Sequence, residues 1–154
     1  MSLEHIKEEQ VNKAVMEHEV NIKEWSLNST ANEMYGFFNL LNEEYFQNKL
    51  GTPVISFKFR RHNELGHYVR GRNEIGCLDN INLNRIHLAG TKQDTLETLL
   101  HEMVHAWEFR FGKPGKRNYH TIACRQKMSE LGIPCDRKGI SLGAKDPFVS
   151  FIKS

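Results

Sequence analysis

The stretch Asp94-Thr95-Leu96-Glu97-Thr98-Leu99-Leu100-His101-Glu102-Met103-Val104-His105-Ala106-Trp107-Glu108-Phe109-Arg110-Phe111 decides how this chain reads. Leu96, Leu99, Leu100, Met103, Val104, Trp107 and Phe111 recur every three or four residues, which is the spacing of one apolar stripe on an α-helix. Asp94 with Glu97 three residues on marks a start, and Gly112-Lys113-Pro114-Gly115-Lys116 is a turn that ends it. On this helix His101 and His105 lie one above the other. Their imidazoles can meet a single Zn²⁺ at about 2.0–2.1 Å each. Glu102 points about 100° around the axis. It can therefore reach an open coordination position without being a ligand, which is where a general base must stand.

With eight His in the composition, an HExxH arises by chance in about one such chain in twenty-five. Context must therefore carry the reading. Taking Leu96 as zero, the apolar stripe spans about −60° to +80°, and the two histidines fall near 140° and 180°. They stand off the core face, so a pair of ordinary core histidines is disfavoured. Zinc asks for a third protein ligand and an open fourth position. Glu108, His120 and Glu130 are the candidates further along the chain. His120, placed in the first turn of a last helix over 119–131, is favoured because an antiparallel return brings it back beside the first two.

Working outward, Met34, Phe37, Phe38, Leu41, Tyr45 and Phe46 predict a helix that starts at a Thr30–Glu33 capping box and closes before Gly51 and Pro53. Ile55, Phe57 and Phe59 alternate with polar residues, as in a half-buried strand. A second strand is expected around 67–70 and a third over 75–83, with short connections that favour an antiparallel meander. Residues 3–25 read as a charged helical segment. The expected fold is α+β: a small antiparallel three-stranded sheet packed with the HExxH helix and flanking helices. Its parts are an acidic extension (1–30), a central domain (31–135) and a basic tail packed on it (136–154).

Composition agrees with one soluble domain. There are 154 residues, 39% hydrophobic and 26% charged, with no run apolar enough to cross a membrane and no signal peptide. Three cysteines, Cys77, Cys124 and Cys135, form no CxxC pair, which is the usage of reduced thiols in the cytoplasm. The formal net charge of +2 is uneven. Residues 1–50 carry nine acidic and four basic side chains, and residues 101–154 five and ten. Arg110, Lys113, Lys116 and Arg117 gather in and before the Gly/Pro turn and are candidates for phosphate contacts.

Leu99-Leu100-His101-Glu102-Met103-Val104-His105-Ala106 followed by His120 resembles the SprT-like domain, which includes the Spartan-type proteases. Leu41 to Leu50, Leu65-Gly66 and Thr95 to Thr98 match its pattern too. The likeness covers about residues 31–135. It implies a compact zincin-like core in which His101, His105 and His120 bind one Zn²⁺ per chain and Glu102 is the base. It also implies peptide-bond hydrolysis, with a protein or peptide substrate and, in some members, cleavage of proteins crosslinked to DNA. The chain departs from the family at Tyr119-His120-Thr121, where Gly-His-Gly is usual, and it has no zinc ribbon of paired cysteines. Glu108 and Phe111 stand where a metzincin would have Gly and a third His. The expectation is a zinc metallopeptidase. The alternative is a nucleic-acid-binding or interaction domain around a structural zinc.

Overall fold

The computed structural model describes residues 25–61, 63–71, 79–85 and 90–154. The helix expected over 3–25 lies outside them, Trp25 apart, as does Cys77. Helices α1 (Trp25–Phe46), α2 (Lys92–Phe111), α3 (Ile122–Leu131) and α4 (Phe148–Lys153) accompany strands β1 (Val54–Ser56), β2 (Gly66–Val69) and β3 (Asn80–Leu83). The class is α+β, and no described helix is long and apolar enough to cross a membrane.

The long first helix buries Ala31, Met34, Phe38, Leu41 and Phe46, all on one stripe. It is already helical at Trp25, so Thr30 lies inside it and does not cap it. Past Phe46 the chain turns through Gln47 and Asn48, both at positive φ. The Asn42 side chain closes this turn by accepting from Leu50 N (3.2 Å) and donating to Leu50 O (2.9 Å). Tyr35 then ties α1 to the sheet, its hydroxyl accepting from Ile55 N at 2.8 Å.

The sheet departs from the expected meander. Its order is β1-β3-β2, with β1 parallel to β3 and β2 antiparallel to it. The reason lies in an asparagine of β3 and another just past its end. Beyond Ser56 the backbone ladder stops, and side chains take over from it. Asn82 accepts from Lys58 N (2.7 Å) and donates to Lys58 O (3.1 Å). Asn84 accepts from Arg60 N (3.1 Å) and donates to the carbonyls of Arg61 and Glu64 (2.9 and 2.6 Å). The chain is thereby carried past the end of β3 and enters β2 on its far side. The expected alternation does not hold in burial: Ile55, Ser56 and Phe57 are all buried while Phe59 is exposed, and only Val54–Ser56 is strand.

Helix α2 crosses the sheet with Leu96, Leu99, Leu100, Met103 and Val104 almost wholly buried. It starts earlier than Asp94: Thr91 is its N-cap and accepts from Asp94 N at 3.1 Å. Phe111, expected in the stripe, is 54% exposed, because the helix has by then run past the core. After α3 the chain makes a short bridge, Cys135 to Ser141, and returns so that α4 buries Phe148 and sets Phe151 edge-on to Tyr45 of α1.

Asn84→Ala removes the acceptor for one backbone N–H and the donors for two carbonyls in a buried position. Urea unfolding is expected to report a loss of about 2–3 kcal/mol. A loss below about 0.5 kcal/mol, the size of an ordinary surface change, would contradict the role given to this side chain.

Candidate metal centre

The pitch of α2 sets His101 and His105 one turn apart, with ring centroids separated by 5.1 Å. The third imidazole comes from outside any helix. After Gly112 the chain passes a turn and a short 3₁₀ segment, Lys116–Asn118, and α3 begins only at Ile122. His120 therefore precedes the last helix of the central domain instead of opening it. Asn118 anchors this approach by donating to Tyr68 O at 2.7 Å. Thr121 then caps α3, accepting from Cys124 N at 3.1 Å, and its hydroxyl donates to Glu108 of α2. One side chain thus fixes the start of α3 against α2.

As a result the three rings converge. His120 Nε2 lies 3.0 Å from His101 Nε2 and 3.2 Å from His105 Nε2. Two ligands at about 2.0–2.1 Å in a tetrahedron around zinc would be about 3.3 Å apart, so the donors already have nearly that spacing. The donor chemistry fits as well. Burial lowers His101 to about 3 and His105 to about 2 from the usual 6.5, the neighbouring imidazoles acting in the same direction. Burial also lowers His120. Neutral imidazoles with nitrogens facing a common point are what a divalent ion requires.

Several contacts hold His120 in place. Its ring shares a hydrogen bond with the Arg137 backbone, and its carbonyl accepts from Arg125 Nε at 3.2 Å. Gly139, at φ 82°, comes so close that a Cβ there would stand 2.5 Å from His120 Nε2. Only glycine suits both the conformation and the gap. No motif or periodicity marks these three residues as supports for His120. Two thiols also sit beside the imidazoles. Ligand-type atoms of His101, His120 and Cys135 lie within 4.8 Å of one another, as do those of His105, Glu108 and Cys124. Burial raises both thiols, Cys124 to about 12 and Cys135 to about 11, so neither is a thiolate at neutral pH.

Glu102 is 6% exposed, buried between α2 and β2. Strand β2 comes this close because of Gly66: a Cβ there would meet Thr98 Cγ2 at 2.7 Å and Glu102 Cγ at 3.2 Å. Burial, with a smaller contribution from the charge of Glu64, pushes the Glu102 carboxyl up to about 8. Far from standing on an open face, His105 and Glu102 are as enclosed as the core, since α3 and the sheet cover that side of the helix.

Other expected residues fall elsewhere. Glu108 is engaged with Thr121, and Glu130 is exposed near the end of α3. Tyr68 commits its hydroxyl to Asp79 at 2.8 Å. Arg110 pairs with the same carboxylate at 3.2 Å, which draws it away from Lys113, Lys116 and Arg117 on the exposed turn. His67 shares with His105 a cavity of about 280 Å³, lined also by Phe109 and Asn118. Strand β3 is central and paired on both sides.

Residues 34–138 match the family model described as the SprT-like family. No curated protein matches the chain.

The buried groups fix the pH behaviour of the metal-free chain. Between 4.5 and about 8 the folded Glu102 holds a proton that the unfolded chain releases, so stability rises as pH falls toward neutrality. Below 6.5 the unfolded chain takes up protons at His101 and His105 that the fold refuses, and stability falls. Two protons then outweigh one. Thermal unfolding of chelator-treated protein is expected to show maximum stability near pH 6.5; stability still climbing from there to pH 5 would refute the neutral, buried imidazoles.

Proposed function

The chain belongs to the SprT-like family, and from that premise we propose that it is a zinc-dependent metallopeptidase that hydrolyses peptide bonds in polypeptide substrates. The observation that carries this reading is the convergence of His101, His105 and His120 on one point with the Glu102 carboxyl buried alongside. His101, His105 and His120 would hold the ion. When bound, zinc supplies Lewis-acid polarisation of the scissile carbonyl and lowers the pKa of water.

The protein's own groups do the rest. Glu102 accepts a proton from the attacking water and hands it to the leaving amine. Its raised pKa suits both halves of that task, since the carboxyl keeps a proton more readily than an exposed one does. A nearby dication would pull that value down toward the working range. His67, at the cavity shared with His105, is the side chain best placed to donate to the developing oxyanion. The Tyr68 hydroxyl is already taken.

Extended peptides bind such sites by lying along a strand edge. The sheet has β1 and β2 at its edges, and β2 is the one that lies against Glu102. Its Tyr68 carbonyl is occupied by Asn118, which leaves the Gly66 end, beside Glu102, for substrate. Of the four cations read in the sequence as candidates for phosphate contacts, Arg110 is engaged with Asp79, while Lys113, Lys116 and Arg117 stay exposed on the turn. The proposed substrate is a polypeptide, a class that includes proteins associated with DNA.

Glu102→Gln preserves shape and removes the base. The variant is expected to bind one zinc per chain, by metal analysis, while hydrolysis of an unstructured protein drops by about 10²–10⁴-fold. Turnover at the wild-type rate would overturn the general-base assignment.

A further inference from the structure

The surface next to the third imidazole carries a second cleft that the proposed chemistry does not use. It is an open cavity of about 640 Å³ lined by Lys113, Tyr119, Thr121, Ile122, Arg125 and Arg137, with no acidic residue in its wall. Its three cations come from separate places: the turn after α2, the first half of α3 and the loop beyond that helix. Among the described residues none of the three forms an ion pair with a carboxylate. Like charges brought together by a fold raise the local potential, and an anion that enters is attracted by all of them at once. Arg125 uses its Nε on the His120 carbonyl, so the other end of its guanidinium is left to form a charge-assisted pair.

The shape narrows the class of anion. Lys116 and Arg117 do not line the cleft, and Arg110 is held elsewhere by Asp79, so the cations do not form the extended track that a polynucleotide backbone needs. They close instead around one pocket. Tyr119 and Ile122, 51% and 67% exposed, give it an apolar wall suited to the methylenes of a side chain. The pocket adjoins His120 through two of its own residues, Arg125 by the bond to the carbonyl and Arg137 by the bond to the ring.

We propose that this cleft is a subsite for an acidic residue, taking the Asp or Glu side chain of a polypeptide held across the three-histidine site. Cleavage of the bound chain rests on the peptidase reading, whereas binding at the subsite does not depend on it.

The test uses the full zinc-loaded chain and two blocked hexapeptides, one with a central Glu-Asp pair between alanines and its Gln-Asn twin, monitored by calorimetry and by amide chemical shifts. The acidic peptide is expected to bind about tenfold more tightly than its twin and to weaken as salt is raised. Shifts should centre on residues 113, 119–125 and 137. The double variant Lys113→Gln, Arg137→Gln keeps both contacts to His120, because neither side chain makes them. It should retain one zinc per chain and lose the preference. Equal binding of the two peptides, a preference that survives the double variant, or binding of oligothymidylate alone at these residues would each overturn the subsite. Acid-selective binding without cleavage would support the subsite and count against the peptidase reading. Cleavage of both peptides alike would do the reverse.

Discussion

Three neutral imidazole nitrogens facing one another, two of the gaps being 3.0 and 3.2 Å, form the constraint on which the rest of this structure depends. Lone pairs so arranged repel unless a cation or a shared proton lies among them, and burial holds the rings neutral. The fold must therefore force the arrangement. Helix pitch supplies two rings without further cost. The third, on irregular backbone, needs support from every side: Asn118 on Tyr68, Thr121 on Glu108, Arg125 on the carbonyl, and Gly139 against the ring.

Glu102, the proposed base, is positioned by a different device. Glu102 gains its enclosure from the close passage of β2, which Gly66 permits. Asn82 and Asn84 hold the chain ahead of that strand at Lys58, Arg60, Arg61 and Glu64, beside the end of β3. Polar side chains in the sheet are thus linked, through strand order, to the placement of the Glu102 carboxyl. A site built of one helix, one loop and one strand edge stays accurate when each piece is tied to another by side chain as well as backbone.

The range of each interaction decides whether it is legible in the sequence. The α2 stripe and its two histidines are encoded within twenty residues, and periodicity recovers them. Glu108 and Arg110 belong to the same helix, yet their partners, Thr121 and Asp79, lie 13 and 31 residues away, so local pattern does not reveal what these side chains contact. The sheet order is hidden for the same reason. Short connections suggest a meander, whereas parallel pairing of β1 with β3 rests on asparagine contacts 20 to 24 residues long. Thr30 offers a sound local cap that the longer helix overrides. Gly139 and Arg137 carry no local signal of their role; only the closeness of His120 gives them meaning.

X-ray absorption at the zinc edge of the metal-loaded chain tests the central claim most directly. Three histidine ligands predict nitrogen or oxygen scatterers alone, at about 2.0–2.1 Å, with the outer-shell pattern of imidazole. Loss of that pattern should accompany replacement of His120 by Ala. A sulfur shell at about 2.3 Å would contradict the account, because it would place Cys124 or Cys135 on the metal and close the position that hydrolysis needs.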